Sequence, residues 1–476
     1  MLQVLCHAIS MPAGGKIETA MQKYIPADQV TIIGAGLAGS EAAWQLAIRG
    51  IHVNLYEMRP ATQTGAHKTG LLAELICSNS LGSTLIDRAN GLLLDELVSL
   101  NSLLSECALA ARVPGGSALA VDRQAFSALV TERITTHPCI SLIREEVTSI
   151  PPGMVILASG PLTSAALATH LAEFTGMEHL YFYDALAPII ASDSIDMKIA
   201  FRASRYGRGT LPEGDYINCP LTKEQYQAFV SELVAAKRIP HRDDEKTIET
   251  GVKAGEKFFF ERCVPVEVMA GYSENALAYG PMKPFGLKYA STIQNPFAIL
   301  QLRQDDLAGG LYNMVGFQTN LTFAEQERVF RLIPGLQHAR FVRHGQMHRN
   351  TYLNSPALLE PTLQFKRNPN LIGAGQVIGA EGYLGNIATG LYAGITAAQL
   401  LKGETPAIAP RTMMLGALIH YLTHADPKHF QPMKANFGLL YNEFTGKQSR
   451  QEKIQATIEK SKKSRAVFLQ RVNLPK

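Results

Sequence analysis

The stretch Val30–Gly39, VTIIGAGLAG, decides the fold. Val30–Ile33 reads as a short buried strand, Gly34–Gly39 as a GxGxxG turn, and Ser40–Gly50, SEAAWQLAIRG, as the helix that follows. A second apolar strand, Ile51–Tyr56, ends at an acid, Glu57. Strand, glycine turn, helix, strand and acid make a βαβ dinucleotide-binding unit. In such a unit Gly34 permits the tight turn, Gly36 lets the backbone approach a pyrophosphate, and Gly39 lets helix and strand pack closely. Ala35, Leu37 and Ala38 complete the loop, and the helix N-terminus offers partial positive charge to phosphates. Glu57 stands where an acid, about 20 residues on, hydrogen-bonds ribose hydroxyls.

The 476-residue chain as a whole is ordinary in bulk: 46% hydrophobic, 18% charged, with a formal net charge of +4. That length makes two to three domain-sized units, and the mild positive charge permits a nucleic-acid partner without demanding one. No apolar run reaches the ~18–20 residues of a membrane span. The cysteines, Cys6, Cys77, Cys107, Cys139, Cys219 and Cys263, are scattered without a CxxC pair. This spacing fits free thiols in a reducing cytoplasm and argues against both a disulfide framework and a zinc ribbon, so no metal is expected.

A second glycine-rich unit lies late in the chain. Asn370–Leu400, NLIGAGQVIGAEGYLGNIATGLYAGITAAQL, gives a strand, a turn through Gly375, Gln376 and Gly382, and a long helix. Two such units at opposite ends of a chain suit an extended FAD better than NAD, the late helix covering the flavin end with its N-terminus. Met154–Gly160, MVILASG, reads as a further buried strand of the nucleotide-binding sheet, and Ala89–Ser105 as one helix. From about Ala187 to Gln301, mixed charge and aromatics replace the βαβ rhythm. The expected fold is α/β, a Rossmann-like FAD-binding domain interrupted by an inserted α+β domain. Its parts are a disordered extension over 1–27, FAD-binding segments over 28–186 and 311–440, a substrate- and RNA-facing insertion over 187–310, and a basic polar tail over 441–476, a solvated helix or a frayed end.

Two cysteines have contexts that suit chemistry. Cys77, in AELICSNS, is followed at once by small polar residues, which places it at the top of a strand or the start of a helix, where a thiolate is favoured. Cys263, in FFFERCVPVEVMA, has Arg262 beside it and Glu261 and Glu267 close by. Taken alone, either residue could instead be an inert buried thiol. Basic residues alternate with aromatics at Lys198, Phe201, Arg202, Arg205, Tyr206 and Arg208, a pattern that suits phosphate contact and base stacking as well as it suits a solvated strand edge. Arg340, Arg343, His344, His348 and Arg349 form a second such group.

These segments together resemble one family. GAGLAGSEAAWQLA with YEMRP, LAELICSNSL, GGSALAVDRQAFSALVTERI, SRYGRG, RCVPVEVMA, GPMKPFGL, GQMHRNTYLNSP and AGQVIGAEGY occur in the order found in the bacterial folate- and FAD-dependent tRNA (uracil-5-)-methyltransferases. The resemblance implies that methylenetetrahydrofolate gives its carbon to C5 of uridine 54 in the tRNA T-loop. Reduced FAD carries the carbon and supplies reducing equivalents, and NADPH or NADH re-reduces it. It also implies two functional cysteines, here Cys263 as the thiolate that adds to uracil C6 and Cys77 as its partner near the flavin. Such an addition is what makes C5 nucleophilic.

The chain departs from the family pattern at three places. Gly82 follows CSNSL where many relatives have Arg. Asn320 stands in FQTNL where many have FQTHL, so the role of the imidazole that the family stacks on the folate pterin falls to Asn320 as a substitute or to His348. EGYLGNIATG replaces EGYVESAASG, with Gly382, Gly390 and Gly394 expected to keep the turn chemistry. The competing readings are an RNA-modifying paralogue acting on ribosomal uridine, the longer FAD-containing wobble-uridine enzyme, and a small-molecule flavin oxidoreductase.

Overall fold

The computed structural model describes residues 29–64, 66–177, 180–239, 264–287, 295–440 and 449–474. The expected extension over 1–27 therefore lies outside the described residues. The nucleotide-binding sheet has six strands in the order Gln364–Phe365, Asn368–Gly373, Met154–Leu157, Gln29–Ile33, His52–Tyr56 and Ile140–Ile143. All neighbours pair in parallel except the edge hairpin formed by Gln364–Phe365. Parallel strands are covered on both faces, which is why Val30–Ile33 and Val155–Leu157 are continuously buried rather than alternating.

Helix Leu37–Ala47 packs directly on helix Tyr383–Leu401, so the two glycine units expected from the sequence are neighbours in space. Small residues set that approach. A β-carbon at Gly390 would sit 2.2 Å from the Ala38 carbonyl, and one at Gly394 would sit 2.8 Å from that of Ala42. Gly390 and Gly394 thus serve helix packing, not the turn chemistry expected of them; the turn belongs to Gly375, Gly379 and Gly382, all at positive φ.

The second sheet is antiparallel, in the order Phe201–Ala203, Tyr216–Leu221, Ala298–Gln304, Leu311–Met314, Ile189–Ala191 and Phe341–Arg343. It has its own core around Phe229, Phe317 and Phe330. Strands Leu311–Met314 and Phe341–Arg343 belong to it, so the boundary expected at 310 falls inside this sheet. A two-stranded ribbon, Leu180–Ala185 against Met347–Tyr352, adjoins it in the chain.

Two further differences have local causes. The single helix expected over Ala89–Ser105 is two, Ala89–Ser99 and Leu103–Ala110. Asn101 breaks it with φ +57, and the Ser102 hydroxyl caps the second by accepting the Ser105 N–H. Of the two readings of the tail, the helix is what forms, Arg450–Arg471, but it is docked rather than fully solvated. Its Ile458 and Phe468 are buried, and Ser461 donates to the carboxylate of Glu96 at 2.7 Å. Glu96 also accepts the N–H groups of Met414 and Leu415 at 2.8 and 2.9 Å, capping helix Met414–His424.

Candidate active site

The glycine loop shows three different physical demands. A β-carbon on Gly34, which has φ +97, would lie 2.6 Å from the Ala158 carbonyl oxygen, and one on Gly39 would lie 1.7 Å from that of Gly34. Those two positions are glycine for the protein's own packing. Gly36 is different: a β-carbon there meets nothing within 4 Å. It faces an open cleft of about 980 Å³, mouth included, lined also by Glu57, Ser159, Gly160, Gln376 and Tyr383. Helix Leu37–Ala47 opens at Gly36 with no side-chain cap. The first-turn N–H groups of such a helix are left to a ligand, and the space over Gly36 fits a pyrophosphate.

Glu57 anchors the loop. Its carboxylate accepts the Ala35 N–H at 3.1 Å, and the Arg59 N–H and Nε–H at 3.1 and 2.8 Å. Burial works to raise its pKa, but the hydrogen bond and charge of Arg59, with the two backbone donors, hold the carboxyl below its ordinary value. A carboxylate has about four acceptor positions, so these three bonds leave capacity for a ribose hydroxyl.

At the other glycine unit, Gly375 and Gln376 line the same cleft, and Gly382 precedes helix Tyr383–Leu401. Tyr383 is the first residue of that helix and the link to Cys77. Its hydroxyl accepts the N–H groups of Cys77 and Ser78 at 2.9 and 3.0 Å, and burial pushes the phenol well above its usual range. Cys77 neither tops a strand nor opens a helix. It lies in an irregular segment before strand Ser80–Ser83.

Guanidinium groups hold that segment in shape. Arg123 donates to the Leu75 carbonyl at 3.2 Å, and Arg343 to the Ile76 carbonyl at 2.7 Å. Arg303 donates to the Ser78 hydroxyl and to Asn79 Oδ1, both at 2.8 Å. Asp305 balances Arg123 at 3.1 Å. Burial lowers the pKa of both Arg303 and Arg343, and the charge of Cys77 acts against that lowering. Cationic surroundings of this kind favour a thiolate. The cleft over Gly36 and the backbone of the half-buried Cys77 are thus joined through Tyr383.

Comparison with known proteins places this architecture. Residues 29–405 match the glucose inhibited division protein A family. The methylenetetrahydrofolate--tRNA-(uracil-5-)-methyltransferase TrmFO of Pelotomaculum thermopropionicum is 54% identical over 86% of this chain and 91% of its own length. TrmFO proteins of Moorella thermoacetica and Bacillus subtilis are 55% and 51% identical, covering 87% and 86% of this chain and 92% of each relative. The chain belongs to the TrmFO family. The solved structure of Aquifex aeolicus GidA shares the fold, with a TM-score of 0.64 and 16% identity over 94% of this chain and 74% of that one.

Within this TrmFO-family chain, Cys263 lies outside the described residues. The chain just after it is tied toward Cys77 by a relay of short contacts. Val266 N–H donates to the Gln318 carbonyl at 2.7 Å, Thr319 N–H donates to that of Leu186 at 3.2 Å, and the neighbouring Ala185 carbonyl lies 4.0 Å from Cys77 Sγ. Glu267 is turned into this relay. It accepts the Thr319 hydroxyl and the Asn320 N–H, each at 2.8 Å, and burial raises its carboxyl pKa against those bonds. Asn320 is itself buried, its amide donating to the Ile239 carbonyl at 3.1 Å, which commits the side chain to the protein interior. His348 lies on strand Met347–Tyr352 opposite Asp184, one position from the Met347–Ala185 pair.

The arginines divide. Arg202 reaches inward to the Tyr312 hydroxyl at 2.8 Å, and Arg205 is spent on Gln301, Phe285 and Lys283. Arg208 is exposed, its guanidinium 5.9 Å from the centroid of the Tyr206 ring. Arg340 pairs with Asp193 at the surface. Among the described residues, no helix is long and apolar enough to cross a membrane.

Proposed function

We propose that this chain methylates C5 of uridine 54 in the tRNA T-loop in the cytoplasm, with methylenetetrahydrofolate as carbon donor, FAD as the held cofactor and NADPH or NADH as reductant. One observation carries the reading: Tyr383 lines the dinucleotide cleft and holds the backbone of Cys77. The names of relatives at 51–55% identity supply the reaction.

The Gly34–Gly39 turn and the uncapped helix would hold the FAD pyrophosphate, Glu57 the ribose, and Gly375, Gln376 and Gly382 the flavin end. Bound there and reduced by NADPH or NADH, the flavin would supply the two electrons that take a methylene-level carbon to methyl. The chain's own thiols do the rest. The Cys263 thiolate adds to C6 of the uracil, which puts negative charge at C5 and O4. After carbon transfer, loss of the C5 proton and expulsion of the thiolate restore the aromatic base. Cys77, in the segment that Arg123, Arg303 and Arg343 hold, would stand at the flavin side as the partner thiol. The T-loop uridine must be unstacked to reach these groups.

Nucleoside mass spectrometry of tRNA and rRNA from a strain lacking the gene tests this. Loss of 5-methyluridine from the tRNA T-loop is expected. Loss from ribosomal RNA alone would overturn the tRNA assignment.

A further inference from the structure

Two loops of the second sheet meet at its surface and hold aromatic rings in water. Ser204–Arg208 and Lys283–Gly286 are joined by Arg205, which donates to Gln301 Oε1 at 2.6 Å and to the Lys283 carbonyl at 2.7 Å as well as to that of Phe285. The Tyr206 N–H adds a bond to the Gly286 carbonyl. Tyr206 itself sits at φ +57, a left-handed conformation that disfavours any side chain. Its ring lies against Gly286, where a β-carbon would meet ring atoms at 2.7–2.9 Å. Yet Tyr206 is 68% exposed, and Phe285, beside Gly286 in the chain, is 60% exposed. Strained backbone, a dedicated glycine and an arginine clamp are thus used to hold rings out of the core. Arg208 and Lys283, both exposed, add positive charge around them.

The position of these loops gives them a purpose. Gln301 and Arg303 lie two residues apart on strand Ala298–Gln304, hence on the same face and about 7 Å apart. Gln301 holds the aromatic loop through Arg205, while Arg303 holds Ser78 and Asn79 beside Cys77.

We propose that Tyr206 and Phe285, with Arg208, form a stacking platform for unpaired nucleotides that flank the target uridine of the RNA substrate. This rests on the reading that the chain modifies tRNA. Rings stack on any base, and the adjoining cations neutralise phosphate.

The test is Tyr206→Gly, which removes the ring while suiting the left-handed backbone. Flavin-loaded protein is titrated with an unmodified T-arm minihelix at fixed salt, and melting temperature and flavin content are read in parallel. Binding about five- to a hundredfold weaker is expected, as for loss of one stacked base, with melting and flavin content unchanged and near-complete rescue by Tyr206→Phe. Unchanged affinity, equal loss in Tyr206→Phe, or a sharp fall in melting temperature would each overturn the platform; unchanged affinity would leave the rings to a protein partner. A wild-type protein that methylates no tRNA would instead overturn the functional reading, and the platform with it.

Discussion

Replacing Gly36 with valine separates cofactor binding from folding. The Gly36 backbone, at φ −72 and ψ −163, is extended and open to any residue, and a β-carbon there touches no protein atom. The cost to the fold is therefore small, within about 1 kcal/mol. The added side chain projects into the cleft and denies a pyrophosphate its approach to the helix N-terminus. Loss of two backbone hydrogen bonds to a charged group, each worth about 1.5–3 kcal/mol, totals about 3–6 kcal/mol, or roughly 10²- to 10⁴-fold in flavin affinity. Gly39→Ala is the counterpart. Its β-carbon would lie 1.7 Å from the Gly34 carbonyl, so the helix must move off the strand and the fold suffers first. The assay is flavin absorbance per protein after purification, beside melting curves against deflavinated wild type. Gly36→Val should be colourless and melt with the deflavinated control, while Gly39→Ala should melt well below it. A yellow Gly36→Val protein, or one as unstable as Gly39→Ala, would refute this account of the loop.

Other outcomes follow from the thiols and the buried acids. With a minihelix carrying 5-fluorouridine at the target, Cys263→Ala should form no covalent complex while keeping its flavin spectrum, and Cys77→Ala should still trap RNA but not turn over; the opposite pattern would exchange their roles. Arg303→Met removes a guanidinium from the Cys77 segment, so alkylation of Cys77 near neutral pH should slow by about tenfold, the equivalent of one pKa unit; an unchanged rate would show that this arginine does not favour the thiolate. Burial pushes the Glu96 carboxyl up to about 7 from 4.5, against the pull of its three hydrogen-bond donors. Folding therefore favours the protonated acid, and that stabilisation is complete below about pH 4.5 and lost as pH rises through 7, by about 3 kcal/mol in all. Melting temperature should fall between pH 5 and 8 more steeply in wild type than in Glu96→Gln; equal slopes would assign the effect elsewhere.

The nucleotide half was legible because its demands are local. A strand, a turn and a helix are adjacent in sequence, and Gly34, Gly36, Gly39 and Glu57 fall at spacings fixed by that geometry. Cys77 stood out through its small polar neighbours, but its surroundings did not. Arg123, Arg303, Arg343 and Tyr383 come from four distant segments and look in sequence like ordinary helix and strand residues; only the fold brings them to Leu75–Asn79. The basic–aromatic run at 201–208 was legible only in part for the same reason. Pattern cannot distinguish Arg202, turned inward to Tyr312, and Arg205, which clamps two surface loops, from Arg208, which faces water. Strand Leu311–Met314 pairs with Ala298–Gln304 and with Ile189–Ala191, the latter more than a hundred residues away, and no composition shift marks such a partner.

The most direct test of the central claim follows the carbon. Purified protein is incubated with unmodified tRNA transcript, NADPH and methylenetetrahydrofolate labelled in its methylene carbon, and the digested nucleosides are analysed by mass spectrometry. Labelled 5-methyluridine at position 54, dependent on both folate and reductant, is expected. Methylation supported by S-adenosylmethionine alone, or no label in the T-loop under conditions where the protein holds FAD, would contradict it.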